Sequence, residues 1–575
     1  MQIQTLSFIY CKSRQLFNNN VLTFTFLVAI TLYLSTDWFM DRYFMPKNIG
    51  FVVGIVLWGI ICICNKKQNI ELTIDFLFIA FSTFIGYIFI CSLFTPYYMH
   101  SVYVLSGWIL FVLMRNREKL VKIFNYVLSV AGVVSALYGL LQYGGYIETQ
   151  SYFPIIGSYD NPAGFAVSII LCYPFLLCSS FEKKRKIIKI LICLLLFLAV
   201  ILSNSRTGIL AFCIVTLLYY TNYYKRLFYR KLTFFSMGIL FLTGLFIGLI
   251  FLKPNSTSGR ILIWKISTGL CQNHIVGNGT GSFKTDYMTE QAKYFSSFHN
   301  DEKEKMLAGN TNHPFNEYLL LLIEYGFLGI VLLLLLFIAV FRKNVSFDNP
   351  AFLALVSIAV FACFSYPFKY AFVWFITIYC LSSINQQRIV TRKIYFKKNL
   401  LSLILLILFS LTIVNIIFEY TWKRVSLVAE KNEGLLDNEL LVYDRLYKIW
   451  NGNPYFLYNY ASELKNIELY QQSIDIFLIC ESYINTYNLQ MQLADNYYQM
   501  RHWKEAEIRY KKAQYMCPNR FLPLQGLLRT YEKSNNKILA QQVAWEIVNK
   551  RIKIPSYTIS AIQEEARLYL LNNKN

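Results

Sequence analysis

The sequence predicts an all-α membrane protein, with a polytopic domain of about 12–14 transmembrane helices interrupted by one large polar loop and followed by a soluble helical solenoid. Three observations predict it. Of 575 residues, 56% are hydrophobic and 17% aromatic, with a mean hydropathy of +0.40, too apolar for a chain that is water-soluble throughout. The apolar residues fall in runs long enough for a helix to cross roughly 30 Å of hydrocarbon. After Tyr420 these runs stop and helical patterns with charged faces take over.

Taken in order, the runs begin near Val21, Asn48, Leu72, His100, Val121, Ala163, Ile187, Thr207, Leu232, Asn316, Asn349, Phe368 and Asn399. The first has no small-residue cleavage site and reads as a retained span. Basic clusters recur on alternate turns: Lys66 and Lys67, Arg115 to Lys122, Lys183 to Lys186, Lys225 to Lys231, Arg342 and Lys343, and Arg388 to Lys398. This alternation marks the cytoplasmic side and accounts for the net charge of +22 without any nucleic acid. Parity then places the loop 253–315 and everything after residue 420 outside. The thirteen Cys lie mostly in apolar runs, with no metal-ligand spacing, and read as packing residues.

Three polar clusters face the outer side. In the first, Gly157 to Gly164, Asn161-Pro162 is a helix-start signal and reads as a cap. The second, Ser203 to Gly208, carries Arg206 at the membrane surface, where it either snorkels to lipid headgroups or binds phosphate with its bidentate fork. The third is the loop itself. Arg260 follows a span end closely enough to sit near the lipid surface, and His313 precedes Pro314 at a helix start. A helix N-terminus favours a neutral imidazole, so His313 is either a general base or a cap and interfacial anchor. Gly277, Gly279 and Gly281 are either backbone donors toward an oxyanion or turn residues. Glu317 and Glu324 share a helix face and either orient an arginine or bury as charges. The chain has no G-x-S-x-G, H-E-x-x-H, D-x-D or Walker motif, so no metal and no nucleotide cofactor is expected.

Beyond residue 420, the segment Tyr487 to Pro518 places Leu493, Ala494, Tyr497, Ala506, Tyr510, Ala513 and Pro518 at the signature positions of a tetratricopeptide repeat. Degenerate copies flank it, one with Tyr460, Ala461, Leu464 and Phe477, the other with Leu527, Leu528, Tyr531 and Ala540. The sequence thus divides into a polytopic domain, 1–420, and a repeat domain, 421–575. The repeats either bind a partner along a concave face or pack on the large loop.

The succession S-x-S-R-T-G, G-R-x-x-I-W, G-x-G-x-G-x-F, H-P-F-N-E-Y-L and E-Y-G-F-L-G resembles the O-antigen ligase and polymerase superfamily. The resemblance covers roughly residues 20 to 420. It implies a glycosyltransferase of the bacterial inner membrane, with its large loop and C-terminal domain in the periplasm. Such an enzyme moves a glycan from undecaprenyl diphosphate to an acceptor hydroxyl, lipid A-core for a ligase. The alternatives are a polysaccharide polymerase or a protein O-oligosaccharyltransferase. By the resemblance, Arg206 and Arg260 hold the diphosphate, His313 activates the acceptor, and Asn316, Glu317, Gly279 and Gly281 line the substrate site. Many members have His where this chain has Phe315.

Overall fold

The computed structural model describes residues 19–65, 70–115, 120–149, 151–180, 186–223, 253–271, 275–297, 301–342, 346–384, 392–432 and 434–573, with scattered positions between 240 and 251. Most of the expected span from Leu232, its turn from Lys225 to Lys231, and Lys66, Lys67 and Lys343 lie outside them, as do the middle of the turn from Arg115 to Lys122, most of that from Lys183 to Lys186 and the start of that from Arg388 to Lys398.

The other predicted spans each coincide with an apolar helix. They are α1 (Asn19–Tyr33), α2 (Phe44–Asn65), α3 (Phe76–Leu93), α4 (Met99–Met114), α5 (Val121–Tyr143), α6 (Pro162–Leu177), α7 (Lys186–Leu202) and α8 (Arg206–Tyr223). After three helices of the polar loop, α9 (Pro254–Ser267), α10 (Ser282–Ser296) and α11 (Glu302–Leu307), come α12 (Glu317–Phe341), α13 (Pro350–Phe364), α14 (Ala371–Ser383) and α15 (Lys398–Lys431). Among the described residues, five helices, α2, α3, α5, α12 and α15, are long and apolar enough to cross a membrane. On α7, Leu191, Leu194 and Leu198 are exposed by 58%, 56% and 48%, an outward apolar face that water would penalise and lipid does not.

Helix starts follow the local chemistry. Asn161, Asn316 and Asn349 each cap a helix with the side-chain oxygen, and Pro162 and Pro350 occupy first-turn positions that need no N–H. One expectation needs correction. The span placed near Leu72 begins at Phe76, because Ile70–Ile74 is a strand that pairs antiparallel with Arg392–Phe396, the one two-stranded ribbon among the described residues. Arg115 closes that end. Its side chain pairs with Asp75, the cap of α3, and donates to the Thr73 carbonyl at 3.0 Å, so both buried charges are satisfied.

Helix α12 is broken at Gly326, whose φ of 66° is non-helical. A break in an apolar helix strands carbonyls that lipid cannot satisfy. Here the segment 275–279 runs beside the break and repairs it. Asn278 and Gly279 donate to the Ile323 and Glu324 carbonyls at 2.9 and 3.0 Å, Leu328 donates to Ile275 at 2.9 Å, and the Tyr87 hydroxyl of α3 donates to the Tyr325 carbonyl at 3.0 Å.

The expected boundary at residue 420 falls inside α15, which is 34 residues long. Its last turns, with Phe418, Trp422 and Val425, join the core of the tail. The tail has eight helices, Asp437–Trp450, Pro454–Asn466, Tyr470–Glu481, Tyr487–Gln499, Trp503–Met516, Leu522–Lys533, Lys537–Asn549 and Tyr557–Asn572, designated α16 to α23. It packs on the polar loop. Phe283, Tyr287 and Phe295 of α10 share one apolar cluster with Tyr487, Ala513 and Met516, and Asn485 donates to Thr289 at 2.8 Å.

Candidate active site

Arg206 opens α8 two residues after Asn204, whose φ of 59° turns the chain sharply between two helices. Its guanidinium reaches the first turn of α9, donating to Thr257 Oγ1 at 3.0 Å and Ser256 Oγ at 2.9 Å. Arg260 stands on α9 one turn beyond Thr257, so a single short helix brings the two arginines together. Burial lowers the proton affinity of Arg260, and the charge of Arg206 lowers it further. Arg260 lies over the Phe315 ring, 5.3 Å from its centroid, and has no hydrogen bond or ion pair among the described residues.

Four residues after Arg260, on the same face of α9, Trp264 donates its indole N–H to the Pro314 carbonyl at 2.8 Å. That bond ties the His313–Asn316 segment to the arginine helix. Phe315 takes a left-handed φ of 54°, unusual for a bulky residue, and its ring lies between Arg260 and Tyr366, with a ring distance to Tyr366 of 5.5 Å. His313 stacks on the other part of Tyr366, at 4.6 Å and 19° between planes. Burial, then the charges of Lys284 and Lys369, push its pKa down to about 3, so the imidazole is neutral.

Tyr366 is the hub of this end of the bundle. Its hydroxyl accepts from Asn161 Nδ2 at 3.2 Å, and Asp160 beside Asn161 pairs with Lys369 at 3.2 Å. The turn that carries Asp160 and Asn161 is fixed from below. Gln142 accepts from the Gly157 amide at 2.8 Å, and Lys47 donates to the Ser158 carbonyl at 2.6 Å. Asn161 is a cap, as its spacing predicts, and also a ligand of Tyr366.

The remaining candidates behave differently. Asn316 is engaged as the cap of α12, accepting from the Leu319 amide at 3.0 Å. Glu317 accepts from the Phe368 amide at 3.2 Å and so anchors the segment that bears Tyr366 and Lys369. The carboxylate of Glu324 faces the amides of Gly281 and Phe283. Neither glutamate is directed at Arg206 or Arg260. Gly279 and Gly281, with φ of 95° and 87°, serve the turn beside the α12 break, and the Gly279 amide is already bonded to Glu324 O.

Sequence reasoning missed Tyr366, Lys369, Asp160 and Lys284. The signal for Lys369 was available, since it stands in a turn on the side that the positive-inside pattern leaves poor in basic residues. For Tyr366 there was none, because one tyrosine among many announces nothing until its partners are known.

Two neighbouring arginines and a neutral histidine at the end of a helical bundle can hold an anion and accept a proton. Residues 191–334 match the family model for O-antigen ligase. The match runs from α7 into α12 and contains Arg206, Arg260, the glycines, His313, Asn316 and Glu317. No curated protein matches the chain. The match supports a multi-pass membrane protein with a function of the O-antigen ligase or polymerase type.

Proposed function

We propose that this protein transfers a glycan from undecaprenyl diphosphate to an acceptor hydroxyl, with lipid A-core as the acceptor. The observation that carries this reading is the proximity of Arg206 and Arg260, where Arg260 is half-buried, feels its neighbour's charge and has no described counter-charge. Such crowding is unfavourable alone and becomes favourable when a diphosphate joins both groups. The family match supports the same chemistry.

In the proposed step the acceptor oxygen bonds to the anomeric carbon, and the bond from that carbon to the diphosphate oxygen breaks. The diphosphate leaves with the electron pair and stays on Arg206 and Arg260, whose hydrogen bonds strengthen as its charge grows. The hydroxyl proton passes to neutral His313. A bound diphosphate offsets the field of Lys284 and Lys369 and so raises the affinity of His313 for that proton. Phe315, at the position where many members of the resembled superfamily carry histidine, shields Arg260 from water.

On the same reading, the bundle lies in the bacterial inner membrane with Arg115, Lys186, Arg342 and Lys398 toward the cytoplasm. The loop and the tail are periplasmic, and the tail is a tetratricopeptide-like solenoid. Cells carrying Arg260→Ala at normal protein level should accumulate lipid-linked glycan and lose its transfer, while Arg260→Lys rescues only partly because an ammonium lacks the bidentate fork. Unglycosylated lipid A-core identifies the ligase, core with a single repeat unit the polymerase, and sugar-free glycoproteins the protein-directed enzyme. Full activity of Arg260→Ala rejects the diphosphate clamp.

A further inference from the structure

The tail holds a second site. A cavity of about 600 Å³ opens among α17, α19 and α21, within the size range of small-molecule sites. Its walls are aromatic and amide rather than aliphatic. Tyr458, Tyr487, Tyr498 and Tyr510 line it, whereas Met491 and Leu522 are its aliphatic lining. Asn488, Gln492 and Gln499 project from one face of α19, and the side chains of Asn488 and Gln499 have no hydrogen bond among the described residues.

The charges in this cavity are balanced in place. Asp495 is held by Lys465 at 3.0 Å and by the Tyr510 hydroxyl at 2.6 Å, and Arg529 is engaged by Glu565 at 2.8 Å. A site for an acidic or basic ligand would leave a charge uncompensated, and one for an apolar peptide would offer deep aliphatic pockets. Planar aromatic faces with idle amides suit a neutral chain of hydroxyls. Such a chain has apolar C–H faces to lay on the rings and paired hydroxyls for the amides.

The position of the cavity bears on function. The amide of Tyr487, a residue of the cavity wall, donates to Asn310 Oδ1 at 3.3 Å, three residues before His313 in the chain. The same α10–tail contact that fixes the loop therefore fixes the cavity relative to the arginines. Resting on the transfer reading above, we propose that this groove binds the glycan of the lipid-linked donor, holding the saccharide chain while Arg206 and Arg260 hold its diphosphate.

Binding can be read without turnover. The probe is the free oligosaccharide released by mild acid from the cells' polyprenyl-linked lipid, added to the full-length protein in nanodiscs and followed by saturation-transfer NMR. Wild type and Arg260→Ala should give equal signal, because the probe lacks the diphosphate. The double variant Asn488→Ala/Gln499→Ala changes only side chains at the cavity surface and should lose at least fivefold. Equal signal in the double variant overturns the groove assignment whatever the transfer result. Preference of the groove for a permanently unfolded peptide over the oligosaccharide also overturns it. Normal transfer by Arg260→Ala rejects the transfer reading instead, and leaves the binding comparison to stand or fall separately.

Discussion

The imidazole of His313 lies nearly parallel to the Tyr366 ring, with centroids 4.6 Å apart. Tyr366 in turn is placed by Asn161 and, through the backbone of Phe368, by Glu317. The orientation of His313 therefore depends on residues from three separate parts of the chain.

Removing the ring of Tyr366 should disturb His313 more than removing its hydroxyl. Tyr366→Ala loses a stacked pair worth about 0.5–1.5 kcal/mol and opens space beside the imidazole, so kcat should fall at least tenfold with donor KM little changed. Tyr366→Phe keeps the stack and should stay within about threefold of wild type, the scale of one modest hydrogen bond. Equal losses in steady-state transfer assays would show that the hydroxyl, not the ring, matters.

Phe315 tests the arginine side of the site. Phe315→Leu keeps bulk but removes the ring beneath Arg260, an interaction of about 0.5–2 kcal/mol. Donor KM should rise severalfold while kcat changes little. An unchanged KM would mean that Arg260 needs no platform.

The pH dependence follows from the field at His313. Its pKa is lowered to about 3 by burial first and then by Lys284 and Lys369. The base form is the neutral one, so depression extends the active window toward acid. In kcat/KM, which reports the free enzyme, the acid limb due to His313 should lie below about pH 5. Lys284→Met removes one depressing charge, so this limb should move to higher pH while remaining below 6.5, since burial persists. A limb that moves toward acid, or stays fixed, contradicts the coupling.

Gly277 tests the repair of the α12 break. A Cβ there would lie 2.5 Å from the backbone of Glu324 and Gly326, and its φ is 84°. Gly277→Ala should destabilise the protein by about 2–4 kcal/mol from overpacking and left-handed strain together, seen as a lower midpoint in detergent melts. Gly279→Ala, with φ of 95° but open space around its Cβ, carries strain alone and should cost about 1–2 kcal/mol. Identical melting of the two variants would refute the close-contact argument.

The sequence by itself determined the helical membrane domain and its punctuation. Apolar runs and Asn-Pro starts act over a few residues, so α6, α12 and α13 begin within a residue or two of their expected positions. The motif G-R-x-x-I-W puts Arg260 and Trp264 on one face of α9, where they meet Phe315 and Pro314 respectively. Tertiary structure decided the rest. The Gly279 amide bonds across the break in α12, and Glu317 and Glu324 lie against backbone amides. Lys369 found Asp160 across a separation of 209 positions, and Tyr366 found His313. Local periodicity sets which face of a helix is apolar, but a side chain's partner depends on how distant helices pack, and that information is spread over the whole chain.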